Sequence, residues 1–413
     1  MPAAHILGPV LDGLPSPADR RLAVRATRDA LRHVRRGHPW LFDASITSVS
    51  HEGAPGDLAV IFDDKREFAA IGLWDPASPM RVRILHHGRP TPIDDEFWYR
   101  RLDAALAVRQ PLLDDAQVTG QRLVHGENDG VPGLVIDQYA AVAVVKIYSA
   151  AWFAHLAPLL DALDQRVGPE SVVLRLARAV APTAPDGAHD GVLATGTHLA
   201  GPVPFLERGA AMTADPIDGQ KTGYFLDQRA NRRLIRGRSD GARVLDVFCC
   251  HGGFSVHAAL GGARHVHSVD LSPHATESAK RHVGLNAPTD HRVSTGDAFE
   301  VMAGLAEQGE QYDVVVVDPP SFASRRDAVP GALRAYTRLT HLALDLVAPG
   351  GTLLQASCSS RIDAEQFETT VRAAAERADR PLRGLEVTGH DIDHPIGFPE
   401  GAYLKAVVAT VGA

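Results

Sequence analysis

Cysteine is scarce in this chain: there are three in 413 residues, Cys249, Cys250 and Cys358. Two are adjacent in sequence, a placement poorly suited to bridging each other or to a tetrahedral metal site, so neither a disulfide scaffold nor a zinc centre is expected. Long apolar runs are also missing. None approaches the ~20 residues that cross a bilayer, and the opening MPAAHILGPVLDG has no charged stretch followed by an apolar signal core. No membrane association is expected, and the expected location is the cytoplasm. Positive charge is not in excess either, since the net charge of −8 does not by itself point to a nucleic-acid partner. Nor does G-x-G-x-x-G follow any apolar strand, which argues against a nicotinamide dinucleotide. What remains is the composition of a globular protein, 45% hydrophobic and 22% charged, long enough for two to three domains.

The most informative stretch is Arg243–Asp270, RVLDVFCCHGGFSVHAALGGARHVHSVD. An apolar β-branched run carries an acid near its end, a Gly-Gly turn and a small-residue helix follow, and a second apolar strand ends in Asp270. In a parallel sheet, ligands sit beyond the carboxyl ends of the strands, so Asp246, Gly252, Gly253 and Asp270 should face one crevice. Glycines let backbone approach a ligand, and an acid ending the second strand suits ribose hydroxyls. A ligand with a ribose but no pyrophosphate, such as S-adenosylmethionine, fits this loop better than a dinucleotide does. The plainer alternative is an ordinary βαβ unit whose glycines only turn the chain.

Four pieces follow from the pattern: a loose leader over 1–21, a barrel of short strands over 22–90, a small α+β domain over 91–212, and an alternating α/β block over 213–413. In the last block strands are expected at Arg243–Phe248, His265–Asp270, His291–Thr295, Tyr312–Asp318 and Gly351–Ser357, with helices between them. That alternation makes a mostly parallel sheet with helices on both faces. Leu382–Val387 and Tyr403–Val411, with no helix between them, suggest an antiparallel pair at its edge. Near the start, Arg20, Arg21, Arg25, Arg28, Arg32, Arg35 and Arg36 crowd a stretch whose only acids are Asp19 and Asp29. That is either a solvated basic segment or a phosphate-binding face.

Two further strand ends carry chemistry. In VVVVDPPSF the prolines stop the strand, since neither can donate to a ladder, and hold Asp318 at the crevice, where it could grip an amide-like base edge. In LLQASCSS, Cys358 ends the next strand among serines; a buried cysteine is most often a small hydrophobe, but this neighbourhood is polar. Asp297, in STGDAFE, suits either an adenine amino group or the cap of the helix beginning beside it. Cys249 and Cys250 read best as packing residues.

GQKTGYFLDQR, VLDVFCCHGGFSVHAALGGA, SVDLS, YDVVVVDPPSF, GGTLLQASCSS and DHPIGFPEGAYLK together resemble the class I S-adenosylmethionine-dependent RNA methyltransferases that make 5-methylcytosine in bacterial large-subunit ribosomal RNA. The stretch from RRGHPWLF to GLWDPASPMRVRIL is similar to that family's RNA-binding PUA domain, and the likeness runs from about residue 22 to the end. The resemblance implies a Rossmann-like methyltransferase domain with a mostly parallel seven-stranded sheet, a PUA-like β-barrel and a small α+β middle domain. It implies S-adenosyl-L-methionine as methyl donor and RNA, large-subunit ribosomal RNA in particular, as partner; a homodimer is left open. By the same resemblance Asp246, Phe248, Gly252 and Gly253 belong to the methionine-side loop, Asp270 to the ribose and Asp297 to the adenine side. Phe225, Asp227, Gln228 and Arg229 fall in a segment that closes over the donor, Asp318 meets the target base, and Cys358 is the nucleophile. Cys250-His251 stands where the family commonly has Tyr-Thr. Two other readings stay open, a purine-nitrogen RNA methyltransferase, which needs no thiol, and a non-catalytic RNA-binding assembly factor.

Overall fold

The computed structural model describes residues 10–196, 198–323 and 325–412. They form two compact units. One runs to Leu206 and takes in Thr213–Leu226 and Ile392–Phe398; the other comprises Glu207–Met212, Asp227–Asp391 and the chain from Pro399 onward.

In the first unit, β1 (Leu22–Ala26), α1 (Arg28–Arg35), β2 (Trp40–Leu41), β3 (Ile46–Val49), β4 (Leu58–Phe62), β5 (Phe68–Trp74) and β6 (Val82–His87) make the small barrel expected there. Its strand order is β2-β6-β5-β4-β1-β3, with β1 parallel to β4 and the other pairs antiparallel. The helix α1 was not expected. Its apolar face is only Leu31 and Val34, and Thr27 caps its start by accepting from Ala30 N. All seven arginines of the basic stretch are exposed; Arg28 pairs with Asp64 at 2.9 Å, and Arg35 pairs with Asp63.

The same unit continues through α2 (Asp95–Leu113), β7 (Gly120–His125), β8 (Leu134–Tyr139), β9 (Val142–Ile147), α3 (Leu156–Arg166), β10 (Ser171–Leu176) and β11 (Val192–Thr195). A five-stranded sheet in the order β11-β10-β9-β8-β7 results, with α2 and α3 packed together. Helix was expected from Ala151, but Ala150–His155 is a 3-10 stretch and α3 begins only at Leu156. The two halves share one core, since Ile71, Leu73 and Leu85 of the barrel cluster with Trp98, Leu134 and Trp152. At this junction Gly56 has φ +94°, and a Cβ there would lie 2.7 Å from the Ala151 carbonyl oxygen, so only glycine lets the backbones meet. The leader expected to be loose falls partly outside the described residues; of the rest, Val10 is buried and Leu11 and Leu14 pack on that core.

Two short strands follow, β12 (Val203–Glu207) and β13 (Ala210–Ala214). The second unit then contains α4 (Arg229–Arg236), β14 (Arg243–Val247), α5 (Gly253–Leu260), β15 (His265–Asp270), α6 (Pro273–Asn286), β16 (Asp290–Thr295), α7 (Ala298–Glu307) and β17 (Tyr312–Val317). It ends with α8 (Val329–Leu346), β18 (Val347–Ser357), α9 (Ala364–Arg377), β19 (Leu382–Thr388) and β20 (Lys405–Val411). The seven strands run in the order β16-β15-β14-β17-β18-β20-β19, the first five parallel and the last two joined antiparallel, as the alternation implied. The parallel strands β14 and β17 are buried on both faces because helices cover both sides, and Leu245, Val247, Val315 and Val317 carry that core. Each such side chain contributes about 1.5–3 kcal/mol by leaving water, which locks the register and so the strand ends.

Candidate active site

Beyond β14 the chain enters a strained loop. Phe248, Cys250 and Gly252 have φ of 65°, 49° and 77°, and left-handed backbone at non-glycine residues costs about 1–3 kcal/mol each. Three bonds hold the loop there: Cys249 N donates to Val269 O at 3.0 Å, Gly252 N to Cys249 O at 2.7 Å, and Cys250 N to Asp270 Oδ2 at 3.0 Å. At Gly252 a side chain has no room, since a Cβ would lie 2.7 Å from Ala279 Cα on α6. Gly253 is the first residue of α5.

Asp246 is wholly buried at the end of β14. Its Oδ2 accepts from Ser255 N at 3.0 Å and Ser255 Oγ at 2.6 Å, while Oδ1 has no hydrogen-bond partner among the described residues. Burial raises its pKa to about 6, against the pull of the Ser255 bonds. A buried carboxylate oxygen without a donor is costly, and its natural complement is a ligand bearing N–H groups. Asp270 uses both oxygens on backbone, Oδ2 for Cys250 N and Oδ1 for Ser272 N at 2.9 Å. It therefore ties the end of β15 to the loop. Asp297 is exposed and caps α7, accepting from Phe299 N and Glu300 N.

Asp318 follows β17 directly, and its N–H donates to Val247 O at 3.2 Å. Burial first, and then the charge of Asp227, push its pKa up to about 7, while a bond from Gln228 Nε2 at 2.8 Å works the other way. That bond brings the segment at the start of α4 to the Asp-Pro-Pro strand end. Gln228 is oriented by Asn231 Nδ2 at 2.6 Å, Asn231 accepts from Thr388 Oγ1 at 2.6 Å, and Asp227 accepts from Tyr403 Oη at 3.0 Å. Arg229 is buried, with Nη1 3.4 Å from Asp391 Oδ2. Asn231, Thr388 and Tyr403 were not picked out from the sequence. Only Asn231 carried a signal, the three-residue spacing from Gln228 at the start of one helix. Phe225 belongs to the first unit, where the Lys221 ammonium lies 4.1 Å from its ring centroid.

Cys358 is half-buried just past β18, with Sγ 3.8 Å from Pro319 O, so the thiol adjoins the prolines that follow Asp318. Beneath it Tyr336 Oη donates to Ser357 Oγ at 2.9 Å. The other two thiols are kept protonated: burial pushes Cys249 far up and Cys250 up to about 11. Burial also drives His251 down to about 4, so the imidazole beside Cys250 is neutral.

The raised pKa of Asp318 has a measurable consequence. In the unfolded chain this carboxyl ionises near 3.8, in the folded state near 7. Its contribution to stability is therefore complete below about pH 4 and is lost as pH rises through about 7. Asn at this position cannot ionise, so Asp318→Asn should gain in Tm relative to the parent on going from about pH 4 to about pH 8. Equal Tm differences at the two pH values in thermal unfolding would show that Asp318 is already ionised when folded.

Residues 185–383 match the S-adenosylmethionine-dependent methyltransferase family model, and residues 24–87 match the PUA-like domain. The fold and this strand edge define a class I S-adenosylmethionine-dependent methyltransferase with an N-terminal PUA-like domain. Among curated proteins, the chain is 46% identical over 400 residues to a ribosomal RNA large subunit methyltransferase of Deinococcus radiodurans, covering 95% of this chain and 98% of that one. It is 36% identical over 377 residues to ribosomal RNA large subunit methyltransferase I of Aeromonas salmonicida, covering 90% and 95%. The chain belongs to the ribosomal RNA large subunit methyltransferase family. Among solved structures, a methyltransferase complexed with SAH superposes with TM-score 0.79 at 20% identity, covering 95% of this chain and all of that one, which supports the fold. The donor set fits S-adenosylmethionine: the buried Asp246 Oδ1 lacks a donor, and the glycine turn beside it leaves no side chain in the way.

Proposed function

We propose that this chain methylates C5 of a cytosine in large-subunit (23S) ribosomal RNA, in the cytoplasm, with Cys358 as nucleophile and Asp318 as the acid that grips the base. The observation that carries the reading is one half-buried thiol beside a strand end whose carboxyl keeps its proton to about pH 7. Cytosine C5 is a poor nucleophile. Addition of the Cys358 thiolate to C6 pushes the ring's electron pair onto C5, and a protonated carboxyl donating to N3 takes up the charge that develops there. After C5 is alkylated, loss of its proton returns the electrons to the ring and expels the thiolate. S-adenosylmethionine, when bound, supplies the electrophilic methyl group. Asp246, Phe248, Gly252, Gly253 and Asp270 hold it in this proposal, with Asp297 on the adenine side and Phe225, Asp227, Gln228 and Arg229 as the closing segment. A purine-nitrogen enzyme would have no use for the thiol.

The test is chemical identification of the product. Ribosomal RNA from cells lacking the gene, incubated with the protein and labelled donor and digested to nucleosides, should yield labelled 5-methylcytidine. Labelled 7-methylguanosine would replace the reading, and neither methyl transfer nor donor binding would leave an RNA-binding factor.

The exposed arginines of the PUA-like domain are proposed to hold RNA by its phosphates. Replacing Arg20, Arg21, Arg25 and Arg36 with Glu should weaken RNA binding and flatten its dependence on salt, because fewer counterions are released, while donor affinity stays unchanged. Filter binding across a salt series decides it; an unaltered slope would make the stretch a solvated surface only.

A further inference from the structure

Lys405 opens β20 and sits opposite Ser357 in the antiparallel ladder with β18. It is 3% exposed and is followed by Ala406, Val407, Val408 and Ala409, all buried, so a lysine begins one of the most apolar strands of the sheet. Its ammonium donates to two backbone carbonyls, those of Ser359 and of Tyr403, and among the described residues it has no ion pair with a carboxylate. Burying an ammonium against carbonyl dipoles alone is unfavourable, and such a charge calls for an anion. The chain supplies one candidate at the right place. Cys358 lies between Ser357, Lys405's ladder partner, and Ser359, whose carbonyl the ammonium holds.

We propose that Lys405 is a positioning residue whose ammonium is the counter-ion that keeps Cys358 as a thiolate before the base arrives. This rests on the reading of Cys358 as nucleophile. No bond to Lys405 forms: the thiol proton passes to solvent, the ammonium keeps its three protons, and sulfur keeps the electron pair it later gives to C6. Tyr336, Asp318, Asp363 and Tyr403, on the neighbouring elements, do not do this work. Tyr336, from α8, is held neutral by burial that pushes its pKa up to about 12, and Asp318, beyond β17, would oppose a thiolate once ionised. Asp363 caps α9 from an exposed position, where water screens it, and Tyr403, the residue two before Lys405, donates its hydroxyl to Asp227. Burial draws the Lys405 pKa down to about 8 while negative charge at Cys358 and Asp363 acts to raise it, so the ammonium persists at neutral pH.

The experiment is the pH dependence of Cys358 alkylation by iodoacetamide in the full chain, followed by mass spectrometry of the peptide that contains it. In the parent protein the rate should reach half its maximum at least about one pH unit below the ordinary thiol value near 8.5. Lys405→Met should move that midpoint up and slow alkylation at pH 7 by about tenfold or more, and Lys405→Arg should keep most of the shift. An ordinary midpoint in the parent protein overturns the inference whether or not Lys405→Met folds, and so does an unmoved midpoint in a folded Lys405→Met. The cytosine reading fails on different evidence, namely full methylation by Cys358→Ala, and the alkylation profile does not depend on it.

Discussion

RNA carrying 5-fluorocytosine at the target position is expected to be trapped covalently by the parent protein, by Cys249→Ala and by Cys250→Ala, and to escape from Cys358→Ala. Fluorine cannot leave C5 as a proton does, so the adduct at C6 persists through denaturing electrophoresis. Three thiols exist to make it. Burial keeps Cys249 and Cys250 protonated near neutral pH, and both belong to the loop after β14. Cys358 is half-buried, with its Sγ 3.8 Å from the carbonyl of Pro319, the residue after Asp318. Methyl transfer by Cys358→Ala should fall by about 10³-fold or more, as expected when a nucleophile is removed. A trapped band that survives in Cys358→Ala, or full methylation by it, would sink the assignment.

Asp270→Ala should weaken S-adenosylmethionine binding by about 1–3 kcal/mol, a roughly 5- to 150-fold rise in Kd by titration calorimetry. Two effects add. In the proposed donor site the variant would lose the carboxylate assigned to the ribose hydroxyls, and it releases the Cys250 N–H that holds the strained loop in position. Asp270→Asn separates them in part, since one amide oxygen can still accept from Cys250 while the negative charge is gone. Unchanged affinity in a folded Asp270→Ala would remove this residue from the donor site.

The second unit was legible because its strands are continuous apolar runs cut off by acids and prolines, which place both the strand and its end. His265–Asp270 was read to the residue. The order in which β20 inserts between β18 and β19 was not, because it depends on pairings between strands far apart in sequence. Helix α1 was missed because its two buried residues are diluted by arginines, and β11 to β13 because strands of four or five residues are too short to show a clear alternation. At the site, residues at strand ends could be named in advance. The bonds from Gln228 to Asp318 and from Lys405 to the Ser359 carbonyl could not, since each joins segments dozens of residues apart.

The loop between β19 and β20 bears on how the chain is made. Asp393 is fully buried in the first unit, accepting from Arg122 N at 2.9 Å, while its carbonyl takes a bond from the buried Arg109; Phe398 lies 5.2 Å from Trp40, and Gly397 N donates to Asn128. A ribosome working from the amino end completes nearly all of that unit by Leu226, then synthesises more than 160 further residues before Ile392–Phe398 emerges. During that interval the nascent unit has the Arg109–Asp129 pair but not the Asp393 acceptors that finish it. Its folding is therefore not a strictly amino-to-carboxyl sequence, and nascent chains stalled before residue 392 should be more open to proteolysis around Arg109 and Arg122 than chains stalled after residue 398.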